Sequence, residues 1–562
     1  MARSVIDPVT RIEGHLRVEM EVENGVVSDA WVSAGCFRGM ELVVVNRTPE
    51  DAAHIVQRIC GVCPVSHTHS ASIAAEKAYG IEISNNARII RNLIEGGQFL
   101  HSNILWFYNL AALDYVNPLN ALKANIADAY DLAVEAGTSC QSDLGALAQR
   151  LTTFAQNGQL SIFSGNWWKD GSAESEFNLP PELDLICTAH YIEALSMQAK
   201  ASEICALLGG KMPHVMTIVP GGTAFVPTEE KLDDLWALTR DLRDWVKATM
   251  LPDTKAIAPY YLDALNFGKG VGRYVAWGVF ERPSFEMADR YLPSGVIDEN
   301  LHLTEVDESL IKEFVGHSWY EGDSNLNPLE GETKPEYTEY YKSGTTFEES
   351  GHEFGEVNDR YSWCKAPTYN GKSMEATSFS RMMASYARGH EFIKPQIDQL
   401  CADLGVTIPQ LQSTLGRTGA RQIETWYISE LMVQWTEELI EAIKGGDSEY
   451  FREPQRLTGD GTAFWEAPRG ALYHTEHVKD GKITGYQIII PSTWNLSPRN
   501  ADGGRGPLET ALLGTPIADT EMPINALRTV HSFDPCTACS VHVTEPATGK
   551  HFETVTSPWG VK

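Results

Sequence analysis

Alternating hydrophobic and polar positions near the N-terminus predict a β-hairpin within residues 3–35. Hydrophobic side chains occupy every second position from 16 to 22, and charged side chains occupy the positions between them. Asn24 and Gly25, which both tolerate positive φ, supply a type I′ turn before Val26 begins the second strand. The chain is therefore expected to open with an antiparallel layer.

Longer stretches carry hydrophobic residues at helical spacing. The first has Thr48 as its N-cap, Pro49 in the first helical position and Asp51 in the third. It is expected to run to Ile59, so that Cys60 lies where the helix ends. Further helices are predicted over residues 67–79, 87–113, 182–208, 228–250, 378–404 and 408–443. Helices of this number and length indicate a central bundle.

Two regions depart from the helical pattern. Residues 298–365 are polar, acidic and rich in Tyr and Gly, which is typical of exposed loops and hairpins. Residues 469–490 predict a second hairpin, with its turn at 479–481 and its last strand ending before Pro491. The predicted fold is α+β and mainly helical, with a central bundle of long helices and peripheral antiparallel hairpins. No flexible interdomain linker is evident, so one large domain is expected.

The composition is strongly acidic. Lys and Arg number 45 and Asp and Glu number 75, which gives a formal net charge of −30 at pH 7. Such a surface repels phosphate backbones and anionic lipids, so nucleic-acid binding is disfavoured. No apolar run approaches the roughly 18 residues of a membrane-spanning helix, and the first residues lack the apolar core of a signal peptide. We therefore expect no direct membrane span.

Four of the ten cysteines form two Cys-x-x-Cys pairs, Cys60/Cys63 and Cys536/Cys539, which lie almost the whole chain apart. Each pair is followed within four residues by a histidine. Soft thiolates select zinc, nickel, copper or iron over calcium and magnesium. The other six cysteines show no motif spacing, and we expect them to be structural.

Spacing alone leaves two kinds of metal site open. Two such pairs make a complete tetrahedral set, and a structural zinc is the commonest use of that set. Structural zinc motifs, however, usually close short local loops. Arg58, His67, Asp534 and His542 lie within a few residues of the thiolates, and such a dense set of neighbours is typical of a reactive metal.

Five further motifs extend along the chain. Residues 11–15, 37–41, 466–472, 491–495 and 532–536 read RIEGH, FRGME, EAPRGAL, PSTWN and SFDPC. Together with the first cysteine motif, and in this order, they resemble the large subunit of nickel-iron hydrogenases over essentially the entire length.

The resemblance implies a nickel-iron centre. Cys60 and Cys536 would be terminal nickel ligands, while Cys63 and Cys539 would bridge nickel to an iron that carries one carbon monoxide and two cyanides. Pro468 and Arg469 of the EAPRGAL motif would line this cofactor.

The resemblance also implies an inner magnesium, or Fe²⁺, bound by Glu41, the backbone carbonyl of Ile488 and His542. Carboxylate and carbonyl oxygens suit a hard cation. Residue statistics alone would make Glu41 a solvated carboxylate at the end of a strand.

The implied reaction is heterolytic cleavage of dihydrogen, which needs a metal and a neighbouring base. The Cys536 thiolate is the expected proton acceptor, and Glu13 the carboxyl that carries protons outward, although Glu13 alone would read as a surface charge on a strand. Arg469 would act electrostatically, held by Asp534. His67 would donate a hydrogen bond toward a bridging thiolate, with a satisfied core histidine as the alternative.

One position departs from the family pattern. Most relatives carry aspartate after the histidine in the segment that here reads LHSNI, so Ser102 stands where a charge would pair with Arg469. Asp534 is then expected to carry more of the task of holding the arginine. Selenium-containing relatives have selenocysteine where this chain has Cys536.

Residues 543–562 resemble the tail that a maturation endopeptidase removes in this family once chaperones have inserted nickel. We predict cleavage between His542 and Val543, which leaves 1–542 as a single catalytic domain. Pro546, Gly549 and Pro558 are expected to prevent regular structure in the tail.

Electrons released from dihydrogen need an exit, and the chain has no spare cysteine cluster for iron-sulfur centres. The resemblance implies an iron-sulfur small subunit as partner, in a heterodimer or a higher multiple. Export in relatives depends on that partner's signal. A periplasmic or membrane-associated location through the small subunit is therefore expected, and the sequence leaves a cytoplasmic location open.

The expected function is that of a hydrogen:acceptor oxidoreductase working in the uptake direction. Three rivals are a cysteine-poor quinone-reducing subunit, a structural zinc protein and a hydrogen sensor. The four retained cysteines oppose the first, and the tail opposes the third.

Overall fold

The computed structural model describes residues 2–160, 176–322, 324–337 and 360–537, together with the backbone of 543–544 and 551–552. Long helices and small antiparallel sheets make up these residues, so the predicted α+β, mainly helical class is confirmed.

The α-helices are α1 (Met40–Val43), α2 (Pro49–Ile55), α3 (Pro64–Tyr79), α4 (Asn85–Ile104), α5 (Ile126–Ala136), α6 (Leu144–Gln156), α7 (Pro181–Gly209), α8 (Glu229–Trp245), α9 (Leu251–Ile257), α10 (Ser378–Ala387), α11 (Ile393–Leu404), α12 (Thr414–Lys444), α13 (Pro491–Asn495), α14 (Pro507–Leu512) and α15 (Ile524–Ser532). The strands are β1 (Ala2–Ile6), β2 (Leu16–Glu23), β3 (Val26–Ala34), β4 (Ile218–Val219), β5 (Gly222–Thr223), β6 (Tyr274–Ala276), β7 (Gly295–Ile297), β8 (Leu303–Thr304), β9 (Ile311–Phe314), β10 (Ala366–Tyr369), β11 (Gly459–Ala467), β12 (Gly470–Lys479), β13 (Lys482–Ile489), β14 (Val543–Thr544) and β15 (His551–Phe552).

The long helices α4, α7, α8 and α12 pack together and bury the largest hydrophobic cluster. Helix α4 lies close to its neighbours because it carries two glycines at the contact. A Cβ on Gly96 would lie 2.3 Å from Met432 Sδ in α12, and one on Gly97 would lie 3.0 Å from Cys205 Sγ in α7. The predicted central bundle is confirmed, and Cys205 is the small buried side chain that was expected.

The N-terminal layer contains the predicted hairpin and one more strand. Asn24 and Gly25 have φ of 52° and 78°, as a type I′ turn requires. Strand β1 adds to the other edge of β2, in the order β1-β2-β3. The alternating side chains of β2 bury Leu16, Val18 and Met20 against α14 and α15.

The second predicted hairpin is part of a three-stranded sheet, β11-β12-β13, because β11 pairs with β12 over its whole length. Helix α3 lies across this sheet. The approach is close at Gly461, where a Cβ would lie 1.9 Å from the carbonyl oxygen of Ala74. The sheet thereby holds the helix that follows the first cysteine pair.

Several predicted boundaries were wrong. The helix expected over residues 378–404 breaks between α10 and α11, where Gly389 has φ of 71°. The helix that starts at Pro49 tightens into a 3₁₀ turn at Val56–Ile59. Helices α5 and α6 were not predicted. In the tail, β14 pairs with β15, so the expectation of no regular structure there was also wrong.

Within the part of the chain that the structure describes, no helix is both long and apolar enough to cross a bilayer.

Candidate metal centre

Three of the four motif cysteines meet in a buried cluster. The Sγ atoms of Cys60, Cys63 and Cys536 all lie within 4.8 Å of one another, and those of Cys60 and Cys536 are 3.2 Å apart. Each residue is at most 4% exposed. Thiols in this arrangement offer the soft donor set that nickel, iron or zinc prefers.

The local backbone conformation positions the first cysteine pair, Cys60 and Cys63. The 3₁₀ turn Val56–Ile59 ends at Cys60, and Cys63 is the N-cap of α3, with Pro64 in the first helical position. Between the cysteines the backbone turns back on itself. The N–H groups of Val62 and Cys63 therefore donate to Cys60 Sγ, at 3.3 and 3.2 Å.

The C-terminal segment positions Cys536 and pairs with the N-terminal segment that carries Glu13. The Cys536 N–H donates to Ser492 Oγ at 3.0 Å. Glu13 lies in a parallel bridge with Cys536: its N–H donates to the carbonyl of Pro535, and its own carbonyl accepts the N–H of Thr537 at 2.5 Å. These backbone bonds fix the N-terminal segment beside the cysteine cluster.

The surroundings favour one thiolate in the cluster. Burial by itself would raise the pKa of Cys60, but hydrogen bonds from the thiols of Cys536 and Cys63 and the charge of Arg469 outweigh it. The pKa of Cys60 is therefore held well below its ordinary value. The cluster offers a negatively charged sulfur in a dry site, which suits a cationic metal.

The Glu13 carboxyl lies against the first cysteine motif. A Cβ on Gly61 would be 3.7 Å from Glu13 Oε1. Burial and the nearby negative charge of Cys60 raise the pKa of Glu13, and the charges of Arg469 and Arg38 oppose the rise. Glu13 is half-buried and lies outside the strands, so its interpretation as a surface charge on a strand was wrong.

Arg469 is held above the cluster by two partners. Its Nη2 lies 3.1 Å from Asp534 Oδ1, and its Nη1 donates to Ser102 Oγ at 3.5 Å. The expected pairing with Asp534 is present, and Ser102 keeps a long hydrogen bond. A second cation, Arg421, lies 2.7 Å from Asp534 Oδ2. One carboxylate therefore holds two buried guanidinium groups.

The loop between β11 and β12 that carries the arginine is itself fixed. Gly470 has φ of 139°, and a Cβ there would lie 1.6 Å from the carbonyl oxygen of Ala376, so only glycine fits. The Arg381 guanidinium donates to the Pro468 carbonyl at 2.7 Å and to Glu466 Oε2 at 2.6 Å. The turn is thus held from both sides.

His67 begins a chain of buried rings. Its Nδ1 lies 3.2 Å from His474 Nε2, and His474 Nδ1 lies 2.7 Å from the Tyr486 hydroxyl. Burial lowers the pKa of His67 to about 4, so the imidazole is neutral at pH 7. If Tyr486 donates to His474, and His474 then donates to His67, the proton of His67 must lie on Nε2.

Glu41 lies in a second polar site, where it accepts the Ile488 N–H at 2.9 Å and the Thr333 hydroxyl. The cavity beside it has a volume of about 60 Å³ and is also lined by Lys365 and Glu313, whose charged groups are 3.3 Å apart. Glu41 lies in the short helix α1, so its interpretation as a solvated carboxylate at a strand end was wrong.

Comparison with known proteins identifies the family. A family model described as nickel-dependent hydrogenase matches residues 38–542, and one described as HoxL-like matches residues 3–34. The chain belongs to the nickel-dependent hydrogenase family. The resemblance drawn from the motifs is confirmed, and with it the assignment as an enzyme.

Related hydrogenase chains align along nearly the whole length. The Hydrogenase-2 large chain of Escherichia coli (strain K12) is 38% identical over 97% of each chain. The uptake hydrogenase large subunit of Rhodobacter capsulatus is 36% identical over 96% of this chain and 95% of its own. The Ni-Fe-Se hydrogenase from D. vulgaris Hildenborough has a similar fold, with a TM-score of 0.78 and 33% identity over 96% of this chain and 100% of that one.

The cysteine cluster fits the nickel centre of a hydrogenase. Three buried cysteine sulfurs, one of them stabilised by two N–H groups, form a donor set for a soft, redox-active metal, and the charge of Arg469 lies beside them. The chain is the large, catalytic subunit of a nickel-iron hydrogenase, so the family opposes the structural zinc alternative for the two cysteine pairs. Cys539 and His542, the remaining expected ligands, lie outside the described residues.

Sequence reasoning missed the side chains that hold the hydrogenase site in place. They are Arg381, Arg421, His474, Tyr486, Thr333 and Lys365. Each lies outside the recognised motifs and contacts the site from a distant segment. Of these, only His474 and Tyr486 carry a local signal, because they follow the EAPRGAL motif on the paired strands β12 and β13.

Proposed function

We propose that this hydrogenase large subunit oxidises dihydrogen in the uptake direction and passes the electrons to an iron-sulfur small subunit. The observation that carries the proposal is the buried cluster of Cys60, Cys63 and Cys536 beneath Arg469. The described residues hold no group of four cysteines for an iron-sulfur cluster. Electrons therefore leave through another chain, and one R. capsulatus relative is named as an uptake enzyme.

Cys60, Cys63, Cys536 and Cys539 would hold a nickel-iron centre whose iron carries one carbon monoxide and two cyanides. Bound there, the centre supplies the Lewis acidity and the electron-accepting capacity that split dihydrogen into two protons and two electrons. Pro468 precedes Arg469, whose guanidinium lies beside this cluster. Arg381 donates to the Pro468 carbonyl and keeps it in place.

The chain supplies the proton route. The Cys536 thiolate accepts the first proton at Sγ, and the Glu13 carboxyl, tied to Cys536 through backbone hydrogen bonds, receives it next. Burial and the charge of Cys60 raise the pKa of Glu13, which makes it a better proton acceptor than an ordinary carboxyl. From there the half-exposed carboxyl releases the proton outward.

Arg469 orients and stabilises charge at the centre without giving up a proton, since guanidinium stays charged in proteins. Asp534 fixes its position and balances its charge in a site where water is excluded. His67 is a neutral donor: with its proton on Nε2, it would donate toward a cysteine thiolate that holds the centre and lower the basicity of that sulfur.

Glu41, the Ile488 carbonyl and His542 would hold an inner magnesium. The carboxylate of Glu41 and the polar groups of Lys365, Glu313 and Thr333 surround a cavity of about 60 Å³, which has room for an ion and its waters. Lys365 would stay paired with Glu313 and restrict the position of any cation to the Glu41 side.

The mature chain would end at His542. The support is that the match to the hydrogenase family ends at residue 542. An endopeptidase would cut before Val543 after chaperones load nickel, and this release would let the Cys539 segment close over the centre. Intact-mass measurement of active enzyme is expected to show residues 1–542, while nickel-free protein keeps residues 543–562. An active enzyme that retains the tail would contradict this.

The mature subunit, residues 1–542, would act as one catalytic domain in a heterodimer or higher multiple with the small subunit. We place it in the periplasm or at the membrane through that partner, in line with relatives named as uptake hydrogenases.

The decisive measurement is an infrared spectrum of the purified complex. One carbonyl band and two cyanide bands, together with hydrogen-dependent dye reduction, are the expected result. If a protein without its tail contains zinc and shows no infrared bands of metal-bound carbon monoxide or cyanide, the proposal is overturned. Turnover several orders of magnitude below enzymatic rates would favour a hydrogen sensor.

A matched pair of variants controls this measurement. Cys536→Ser removes a thiol of the cluster and is expected to abolish nickel binding and activity. Cys401→Ser removes a partly buried thiol in α11 and is expected to leave the spectrum unchanged. Retained nickel in Cys536→Ser would contradict the assigned ligand set.

A further inference from the structure

A second group of metal-binding side chains lies outside the hydrogenase centre. One ring nitrogen of His190, Cys140 Sγ and a carboxylate oxygen of Glu193 all lie within 4.8 Å of one another. They come from the loop between α5 and α6 and from one face of α7, where His190 and Glu193 are three residues apart. None of them takes part in the proposed hydrogen chemistry.

The histidine is oriented as a metal ligand would be. His190 Nδ1 lies 2.8 Å from Asp253 Oδ2 and is bonded to this carboxylate of α9. The carboxylate is fixed in turn by the hydroxyls of Tyr108 and Thr138, at 2.8 and 3.2 Å. Metal-binding histidines almost always donate their second nitrogen to such a group.

The other nitrogen of His190 is left over. His190 is completely buried, and its Nε2 makes no hydrogen bond of good geometry to the residues that the structure describes, although the Cys140 thiol is close enough to interact with the ring. A buried imidazole nitrogen without a partner is costly. Its neighbours Cys140 and Glu193 provide a sulfur and an oxygen, which would complete a mixed donor set around one ion.

Glu193 and the cysteine loop are preorganised. Glu193 Oε1 accepts the N–H groups of Gln141 and Ser142, both at 2.9 Å, and the Ser142 hydroxyl. Among the described residues, Oε2 accepts only the Trp245 indole, at 3.3 Å. One lone pair of Oε2 therefore remains for a further partner. The Ser139 N–H also donates to the carbonyl of Ala248, just after α8, so the loop is held at several points.

We propose that Cys140, His190 and Glu193 form a second metal site for a single zinc-class ion, with solvent in the fourth position. Sulfur, nitrogen and oxygen ligands in this number match tetrahedral zinc and are unsuited to calcium or magnesium. The ion fastens the loop between α5 and α6 to α7. This proposal is independent of the proposed hydrogen oxidation.

The test is the metal content of the holoenzyme complex after loading with zinc chloride and dialysis against a chelator. Wild type is expected to retain one zinc per large subunit beside its nickel and iron, and Cys140→Ala to lose that zinc while nickel and activity stay unchanged. Cys401→Ala, a matched thiol elsewhere, is expected to keep it. Equal zinc in wild type and Cys140→Ala, or no zinc in wild type, would overturn the proposal.

A labelling experiment on the wild-type complex covers the case in which the variant does not fold. Because a metal-bound thiolate is a poor nucleophile, zinc is expected to slow alkylation of Cys140 by iodoacetamide about tenfold or more. The labelling of Cys401 serves as the internal control. An unchanged rate at Cys140 in the presence of zinc would contradict the site.

Discussion

At the scale of single residues, the centre is held by charges that pair across long distances in the sequence. Asp534 holds both Arg469 and Arg421, and all three are almost fully buried. Asp534 thus serves as the anion of two guanidinium groups, while Ser102 gives Arg469 only a long hydrogen bond. Motifs predicted Arg469 and Asp534, but not Arg421, because nothing in its helical sequence marks it.

Glu13→Gln tests the proton route. The amide keeps the shape of the side chain but cannot carry a proton, so hydrogen oxidation is expected to fall about 100-fold or more. The infrared bands of the centre should remain. Glu21→Gln, in strand β2, is the control and is expected to keep full activity. Full activity in Glu13→Gln would show that protons leave by another group.

Asp534→Asn tests the charge balance. Two buried guanidinium groups would lose their anion, which is expected to cost about 3–5 kcal/mol of stability and to displace Arg469. Ser102→Asp in the same chain should restore part of the stability and activity, because it returns an anion to Arg469. A double-mutant cycle of unfolding and dye reduction measures the coupling, and zero coupling would exclude a shared network.

At the scale of elements, local backbone preferences place Cys60 at the end of one helical segment and Cys63 at the start of the next. The Thr48 hydroxyl accepts the N–H of Asp51 at 3.2 Å, and Pro49 starts α2 as predicted. The 3₁₀ turn that follows stops at Cys60. The break that sequence reasoning missed at Gly389 is local: this glycine has φ of 71°, and a Cβ there would meet nothing within 4 Å. The continuous helical spacing on both sides concealed it.

Thr48→Ala should loosen α2. Loss of an N-cap hydrogen bond costs about 1 kcal/mol. Amide hydrogen exchange in α2 is therefore expected to become about fivefold faster, with little change in α12. Thr48→Ser keeps the cap and serves as the control. Equal exchange in Thr48→Ala and wild type would show that tertiary contacts alone hold this helix.

At the scale of the whole molecule, the buried core contains acids that resist ionisation. Glu476 in β12 is 1% exposed, and neither carboxylate oxygen has a hydrogen-bond partner among the described residues. Burial and the charge of Glu50 raise its pKa to about 8. Glu95 in α4, also buried, has its pKa raised to about 8.

Glu476→Gln tests the effect of this acid on global stability. The folded pKa of about 8 exceeds the ordinary value of 4.5, so the folded state holds the proton more tightly than the unfolded state. Its contribution is complete below pH 4.5 and is lost as the pH rises through 8. The melting temperature of wild type should therefore fall between pH 4.5 and 8 more than that of Glu476→Gln.

The two proteins should melt alike below pH 4.5, where the wild-type acid is neutral in both the folded and the unfolded state. Glu437→Gln, an exposed position on α12, is expected to follow wild type at every pH. Parallel curves for wild type and Glu476→Gln would show that Glu476 ionises freely in the folded protein.

The sequence by itself determined the features that depend on neighbouring residues: the turn at Asn24, the cap at Thr48, the cysteine motifs and, through them, the hydrogenase family. Tertiary structure alone decided that Cys536 meets the first cysteine pair, that Arg421 shares a carboxylate with Arg469, and that His190 joins a second cluster. Turns and caps follow from the conformational preferences of a few adjacent residues. Contacts between distant segments depend on how helices and sheets pack, which no local pattern encodes.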